Sequence, residues 1–104
     1  METKTRVLIA DPSEDFRRML ADAIAAEGDM EPAGQAEDGV EALALAAELK
    51  PDILLTELVL PRLDGLTLLR RLPETGASPR VIVVSGFYND HVVADCGELG
   101  VSYF

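Results

Sequence analysis

The 104-residue sequence predicts an α/β fold built on a doubly wound, five-stranded parallel sheet. Three observations predict it. Short β-branched runs alternate with segments of helical period, the links between them are short, and the runs at 53–56 and 81–84 are apolar nearly throughout, as strands covered on both faces are. Parallel strands joined through helices take right-handed crossovers, so helices are expected on both faces of the sheet.

Arg6-Val7-Leu8-Ile9-Ala10 is the first strand, and it stops at Asp11-Pro12-Ser13, where turn formers coincide with a helix-start signal. From Ser13 a helix places Phe16, Leu20, Ala23 and Ile24 on one face and stops at Gly28. Met30 to Ala36 is a weak strand that belongs at an edge, because Pro32 has no N–H to give to a ladder. Asp38, followed three residues later by Glu41, is an aspartate variant of the capping box; it opens a second helix carrying Val40, Leu43, Ala44 and Ala47, which Pro51 closes. The third strand, Ile53 to Thr56, ends in Glu57. After a loop from Leu58 to Asp64, Gly65 to Leu72 is a short helix with leucines at 66, 68, 69 and 72, stopped by Pro73. Val81 to Val84 is the fourth strand and runs into Ser85-Gly86. Asn89 caps a fourth helix that extends to Leu99, with Val92, Val93 and Cys96 toward the core, weakened by Gly97 and ended by Gly100. Val101 to Phe104 begins a fifth strand. No repeat, low-complexity stretch or linker interrupts the pattern, so residues 1–104 are expected to form one domain around one core.

Composition narrows the function classes. The formal net charge is −10, with no Lys/Arg cluster, so this segment repels a phosphate backbone and is not expected to bind nucleic acid. No apolar run approaches the length of a membrane span, and Met1 to Arg6 lacks the features of a signal peptide, so the expected location is the cytoplasm. Cys96 is the single cysteine and reads as a small buried apolar residue; His91, the single histidine, reads as a solvated surface residue at the start of the fourth helix.

In an open doubly wound sheet, functional groups gather at the carboxyl ends of the strands. Strand one ends in Asp11, strand three in Glu57 and strand four in Ser85, so two carboxylates and a hydroxyl are expected around one shallow pocket. Hard oxygen ligands of this kind suit Mg²⁺. An acid after a strand also commonly caps the next helix or solvates a turn, and that reading stays open for Asp11.

From Val7 to Phe104 the sequence resembles the response-regulator receiver family. The resemblance is carried by Val-Leu-Ile-Ala-Asp at 7–11, Pro-Asp-Ile-Leu-Leu-Thr-Glu-Leu-Val-Leu-Pro-Arg-Leu-Asp-Gly at 51–65, Val-Ile-Val-Val-Ser-Gly at 81–86 and Leu-Gly-Val-Ser-Tyr-Phe at 99–104. Within the family it looks closest to the receiver of the sporulation stage-zero master transcription regulator, especially at Pro61 to Leu66 and Val101 to Phe104. The resemblance implies a flavodoxin-like sheet in the order 2-1-3-4-5 and a non-enzymatic role in two-component or phosphorelay signalling. Two acids after strand one and an aspartate ending strand three would hold Mg²⁺, and that last aspartate would accept a phosphoryl group from a histidine kinase or phosphotransfer protein. Asp11 matches the first acid, Pro12 replaces the second, and Glu57 replaces the acceptor. Val59 lies where a backbone carbonyl binds the metal, Ser85 matches the hydroxyl that bonds the phosphoryl group, and Phe104 matches the aromatic whose rotamer reports the activated state. A lysine and a closing helix would follow Phe104, so a longer protein is expected, with a transcriptional output domain or partner engaged through the helix 4/strand 5 face, or a homodimer formed there.

The departures point to a pseudo-receiver. Pro12 offers no side-chain ligand, so Mg²⁺ binding is expected to be weak or absent, and Glu57 carries its carboxylate about 1.5 Å further than aspartate would. A static interaction module without switching is the alternative. An enzyme is the remote one: the Asp11-Pro12-Ser13 turn loosely resembles the nucleophile loop of haloacid-dehalogenase-type phosphatases, but lacks that loop's second aspartate.

Overall fold

The computed structural model describes residues 3–86 and 89–103. Its elements are β1 (Thr5–Ala10), α1 (Glu14–Ala26), β2 (Met30–Ala36), α2 (Gly39–Leu49), β3 (Ile53–Thr56), α3 (Gly65–Arg71), a 3-10 turn (Leu72–Thr75), β4 (Arg80–Val83), α4 (Asp90–Glu98) and β5 (Val101–Tyr103). All neighbouring strands pair in parallel in the order β2-β1-β3-β4-β5, as expected. The weak strand is at the edge: Pro32 of β2 faces Val7, and the register slips immediately after it, between Val7 and Leu8.

Alternation along the strands divides the interior into two layers. Leu8 and Ala10 of β1, Leu54 of β3 and Val81 and Val83 of β4 face α2, α3 and α4, where they meet Ala42, Ala46, Leu68, Leu69, Val92 and Cys96. Val7 and Ile9 face the other way, onto Ala21 and Ile24 of α1. Leu8, Ile9, Leu54 and Leu68 have no solvent exposure, and each such side chain contributes roughly 1.5–3 kcal/mol by leaving water. Helix α1 packs on β1 and β2. Cover therefore falls away along the cross-strand row Ile9, Leu55, Ile82, Tyr103, from a fully buried isoleucine to a tyrosine 70% exposed.

One sequence expectation is corrected. In α1 the buried alanine is Ala21, and Ala23 is exposed. In α2 the buried residues are Gly39, Ala42 and Ala46, while Val40, Ala44 and Ala47 face solvent; this helix is apolar nearly all round, so its sequence does not single out one face. As expected, α3 ends before Pro73, at Arg71; the chain then makes a 3-10 turn, Leu72–Thr75, with the proline in its first positions, where a missing N–H costs nothing. Cys96 is buried as expected, and burial, helped by the Asp95 charge, pushes its thiol pKa up, away from reactivity. No helix among the described residues is long and apolar enough to cross a membrane.

Candidate functional site

The parallel ladder continues one residue beyond the strands at their carboxyl ends. The Asp11 N–H donates to the Ala36 carbonyl (3.0 Å), the Glu57 N–H to the Ala10 carbonyl (2.9 Å) and the Val84 N–H to the Thr56 carbonyl (3.0 Å). Asp11, Glu57 and Val84 therefore leave the sheet at one level, with Ser85 next in the chain. Two of the side chains meet: the Ser85 hydroxyl donates to Glu57 Oε1. The same oxygen also accepts from the backbone N–H groups of Leu58 and Val59, at 3.1 Å each. Three donors on one oxygen form an anion cradle, which the half-buried glutamate fills from within its own chain.

Asp11 is buried, and of the two readings open for it the structure shows the turn-shaping one. Its Oδ1 accepts from the Ser13 N–H (2.8 Å) and so shapes the turn into α1, which Ser13 caps in turn through the Phe16 N–H. Its carbonyl accepts from Arg17 Nη1 (2.6 Å). Asp11 Oδ2 and Glu57 Oε2 accept no hydrogen bond among the described residues. With the carbonyl of the exposed Val59 they are hard oxygen donors of the class Mg²⁺ takes. Pro12 is exposed and adds no oxygen from its side chain, so the set holds two carboxylates. A tight trio of acids does occur among the described residues, but elsewhere, at Glu37, Asp38 and Glu41 where α2 begins. The expected switch aromatic, Phe104, lies outside the described residues.

Sequence reasoning missed the contact that ties the loop after Glu57 to α2. Asp38 is the N-cap of α2, its Oδ1 accepting from the Glu41 N–H (2.8 Å), and its Oδ2 lies 3.2 Å from Arg62 Nη1. The cap was legible as a local pattern; the ion pair, across 24 positions, has no sequence signature. The Glu41 N–H, and after it the Arg62 charge, hold the Asp38 carboxyl below its usual range, against an opposing push from burial. Asp64, the N-cap of α3, is lowered in the same way by the Thr67 N–H and hydroxyl. A depressed carboxyl stabilises the fold above its unfolded pKa, and that contribution is lost as pH falls through the lower, folded value. Urea midpoints followed from neutral pH to about pH 3 are expected to fall on acidification, and to fall less steeply in Asp38→Asn, whose cap carries no charge.

Comparison with known proteins agrees with this geometry. The chain is 46% identical over 80 residues to protein-glutamate methylesterase/protein-glutamine glutaminase 5 of Myxococcus xanthus, a match covering 77% of this chain and 23% of that protein. It is 37% identical over 95 residues to the transcriptional regulatory protein LiaR of Bacillus subtilis, covering 91% of this chain and 45% of that protein. It thus spans less than half the length of either curated relative. Among solved structures, the response regulator domain of Thermotoga maritima CheB superposes with a TM-score of 0.90 at 33% identity, covering 97% of this chain and 76% of that one. The model of the response regulator receiver domain matches residues 7–104. With its sheet order and the acids at the ends of β1 and β3, the chain belongs to the response regulator receiver family of two-component signalling.

Proposed function

We propose that this receiver domain works as a pseudo-receiver, in which Glu57 stands permanently where other members carry a phosphorylatable aspartate. The observation that carries the reading is the Ser85 hydroxyl donated to Glu57 Oε1. Ser85 matches the residue that bonds a phosphoryl oxygen after activation, and here it already has an anionic oxygen to bond. Glutamate supplies one negative charge where phosphorylation supplies about 1.5 to 2, so the mimicry is partial. The donors are filled by Glu57 itself, and its longer side chain takes the carboxylate out of line with a phosphodonor.

Receiver domains generally bind Mg²⁺ at this site, and Asp11, Glu57 and the Val59 carbonyl would hold it here, supplying charge neutralisation to a phosphoryl group. With Pro12 in place of an acid the affinity is weak. The domain passes its state, in the cytoplasm, to an output domain or partner through the α4 and β5 face, or to a second copy of itself. A transcriptional output is our reading, as is nearness to the sporulation stage-zero regulator through Pro61 to Leu66. A histidine kinase or phosphotransfer protein remains a docking partner without being a productive donor.

Incubation with Mg²⁺ and a small acyl phosphate or phosphoramidate is expected to leave the intact mass unchanged. A stoichiometric phosphoryl adduct would end the pseudo-receiver reading. The self-satisfied glutamate also suits a static interaction module. Comparison with Glu57→Gln separates the two: switching moves the Ser85 loop and Phe104 in the amide spectrum, whereas a static module leaves them in place.

A further inference from the structure

Seven residues, Leu58 to Asp64, join Glu57 to α3, and their backbone is fastened at several points. The Gly65 N–H donates to the Leu58 carbonyl at 2.8 Å. The Pro61 carbonyl accepts twice, from the Leu63 N–H (2.7 Å) across a three-residue turn and from the Gly39 N–H (3.2 Å) at the start of α2. Arg62 is the centre of that turn, with φ at 67°. A γ-turn with a positive central φ is rare and strained, and it persists only where the surroundings hold it. Glycine would adopt this conformation without penalty. Arginine incurs the strain, and the side-chain partner it has among the described residues is the buried carboxylate of Asp38. Nearer Glu57, the first two N–H groups of this loop are the ones that meet its Oε1.

We infer that Arg62 is a positioning residue for the Glu57 site: its ion pair with Asp38 pins the strained turn against α2 and so aims the Leu58 and Val59 N–H groups at the Glu57 carboxylate. The inference rests on the reading of Glu57 as the working group of the site. It predicts that the two amides lose their shared acceptor when the guanidinium is removed, although neither touches Arg62.

The test is the ¹⁵N–¹H amide spectrum of the full chain. Arg62→Ala is expected to move the Leu58 and Val59 amide protons upfield, the direction of a weakened hydrogen bond, together with the Ser85 amide. Arg62→Lys, which keeps the charge, is expected to return them toward their original positions. Arg62→Gly relieves the turn but lacks the guanidinium, so it should behave as Arg62→Ala does; if it restores the amides instead, strain and not the ion pair is responsible, and the inference fails. Displacements confined to residues 38–41 and 61–63 would also overturn it. If Arg62→Ala does not fold, Asp38→Asn, which retains the capping oxygen, gives the same reading. Glu57→Gln distinguishes this inference from the mimicry of a phosphoryl group: an unmoved Ser85 loop there defeats the mimicry alone, while unmoved Leu58 and Val59 amides in Arg62→Ala defeat the positioning role alone.

Discussion

Gly39→Ala is expected to destabilise the domain by about 3 kcal/mol or more, a fall in Tm of roughly 12 to 24 °C for a domain of this size. A Cβ at position 39 would lie 1.8 Å from the Leu63 carbonyl oxygen and 2.7 Å from both the carbonyl carbon and the Cβ of Leu63. Two of these are backbone atoms, which cannot rotate away as the tip of a side chain can. The loop would have to lift from α2, breaking the hydrogen bond from the Gly39 N–H to Pro61 and pulling Arg62 from Asp38. Gly97 provides the contrast: a Cβ there meets nothing within 4 Å, and alanine in this last turn of α4 would stabilise it by up to about 0.5–1 kcal/mol. Thermal and urea unfolding of the two variants should therefore move in opposite directions. A Gly39→Ala protein within 1 kcal/mol of the parent would mean that the loop does not approach α2 as closely as these distances require.

The second large effect is a gain of chemistry. Pro12→Asp combined with Glu57→Asp is expected to accept a phosphoryl group from a small phosphodonor in the presence of Mg²⁺, and Glu57→Asp alone is not. The single change draws the carboxylate back by about 1.5 Å and leaves the Leu58 and Val59 N–H groups and the Ser85 hydroxyl available to an incoming oxyanion. It does not supply the third acid. Without that acid the metal ion is held too weakly to neutralise the phosphoryl oxygens, and alignment in line with the nucleophile is lost. Intact mass with and without chelator reads the result. Labelling of the single variant equal to that of the double would show Pro12 to be innocuous.

How much was legible in the sequence depended on how local the cause is. The caps at Ser13, Asp38, Asp64 and Asn89 each accept an N–H three residues on in the folded chain. Such contacts leave a short signature; the sequence shows it at Ser13, Asp38 and Asn89, whereas at Asp64 it shows only the end of a loop. Pro32 revealed an edge strand because a missing donor has the same consequence in any sheet. The contact between Glu57 and Ser85, across 28 positions, was approached only through architecture: parallel strands bring their carboxyl ends level, and residues immediately beyond them become neighbours. Nothing comparable exposes Arg62 and Asp38, whose meeting depends on an irregular turn. The buried face of α2 is illegible for another reason. Alanine, leucine and valine occupy most of its circumference, so helical period carries little contrast, and the buried stripe through Ala42 and Ala46 is selected by the sheet beneath it.

The slip in register beside Pro32 bears on how copies of this protein behave when crowded. Along its outer rim β2 presents a residue with no N–H, a bulged position, and the exposed side chains of Glu31 and Gln35. A neighbouring molecule cannot zip a strand onto so broken a row, so end-to-end growth into cross-β stacks is blocked on that side. Encounters there are left to side chains, and the net charge of −10 on this domain opposes them.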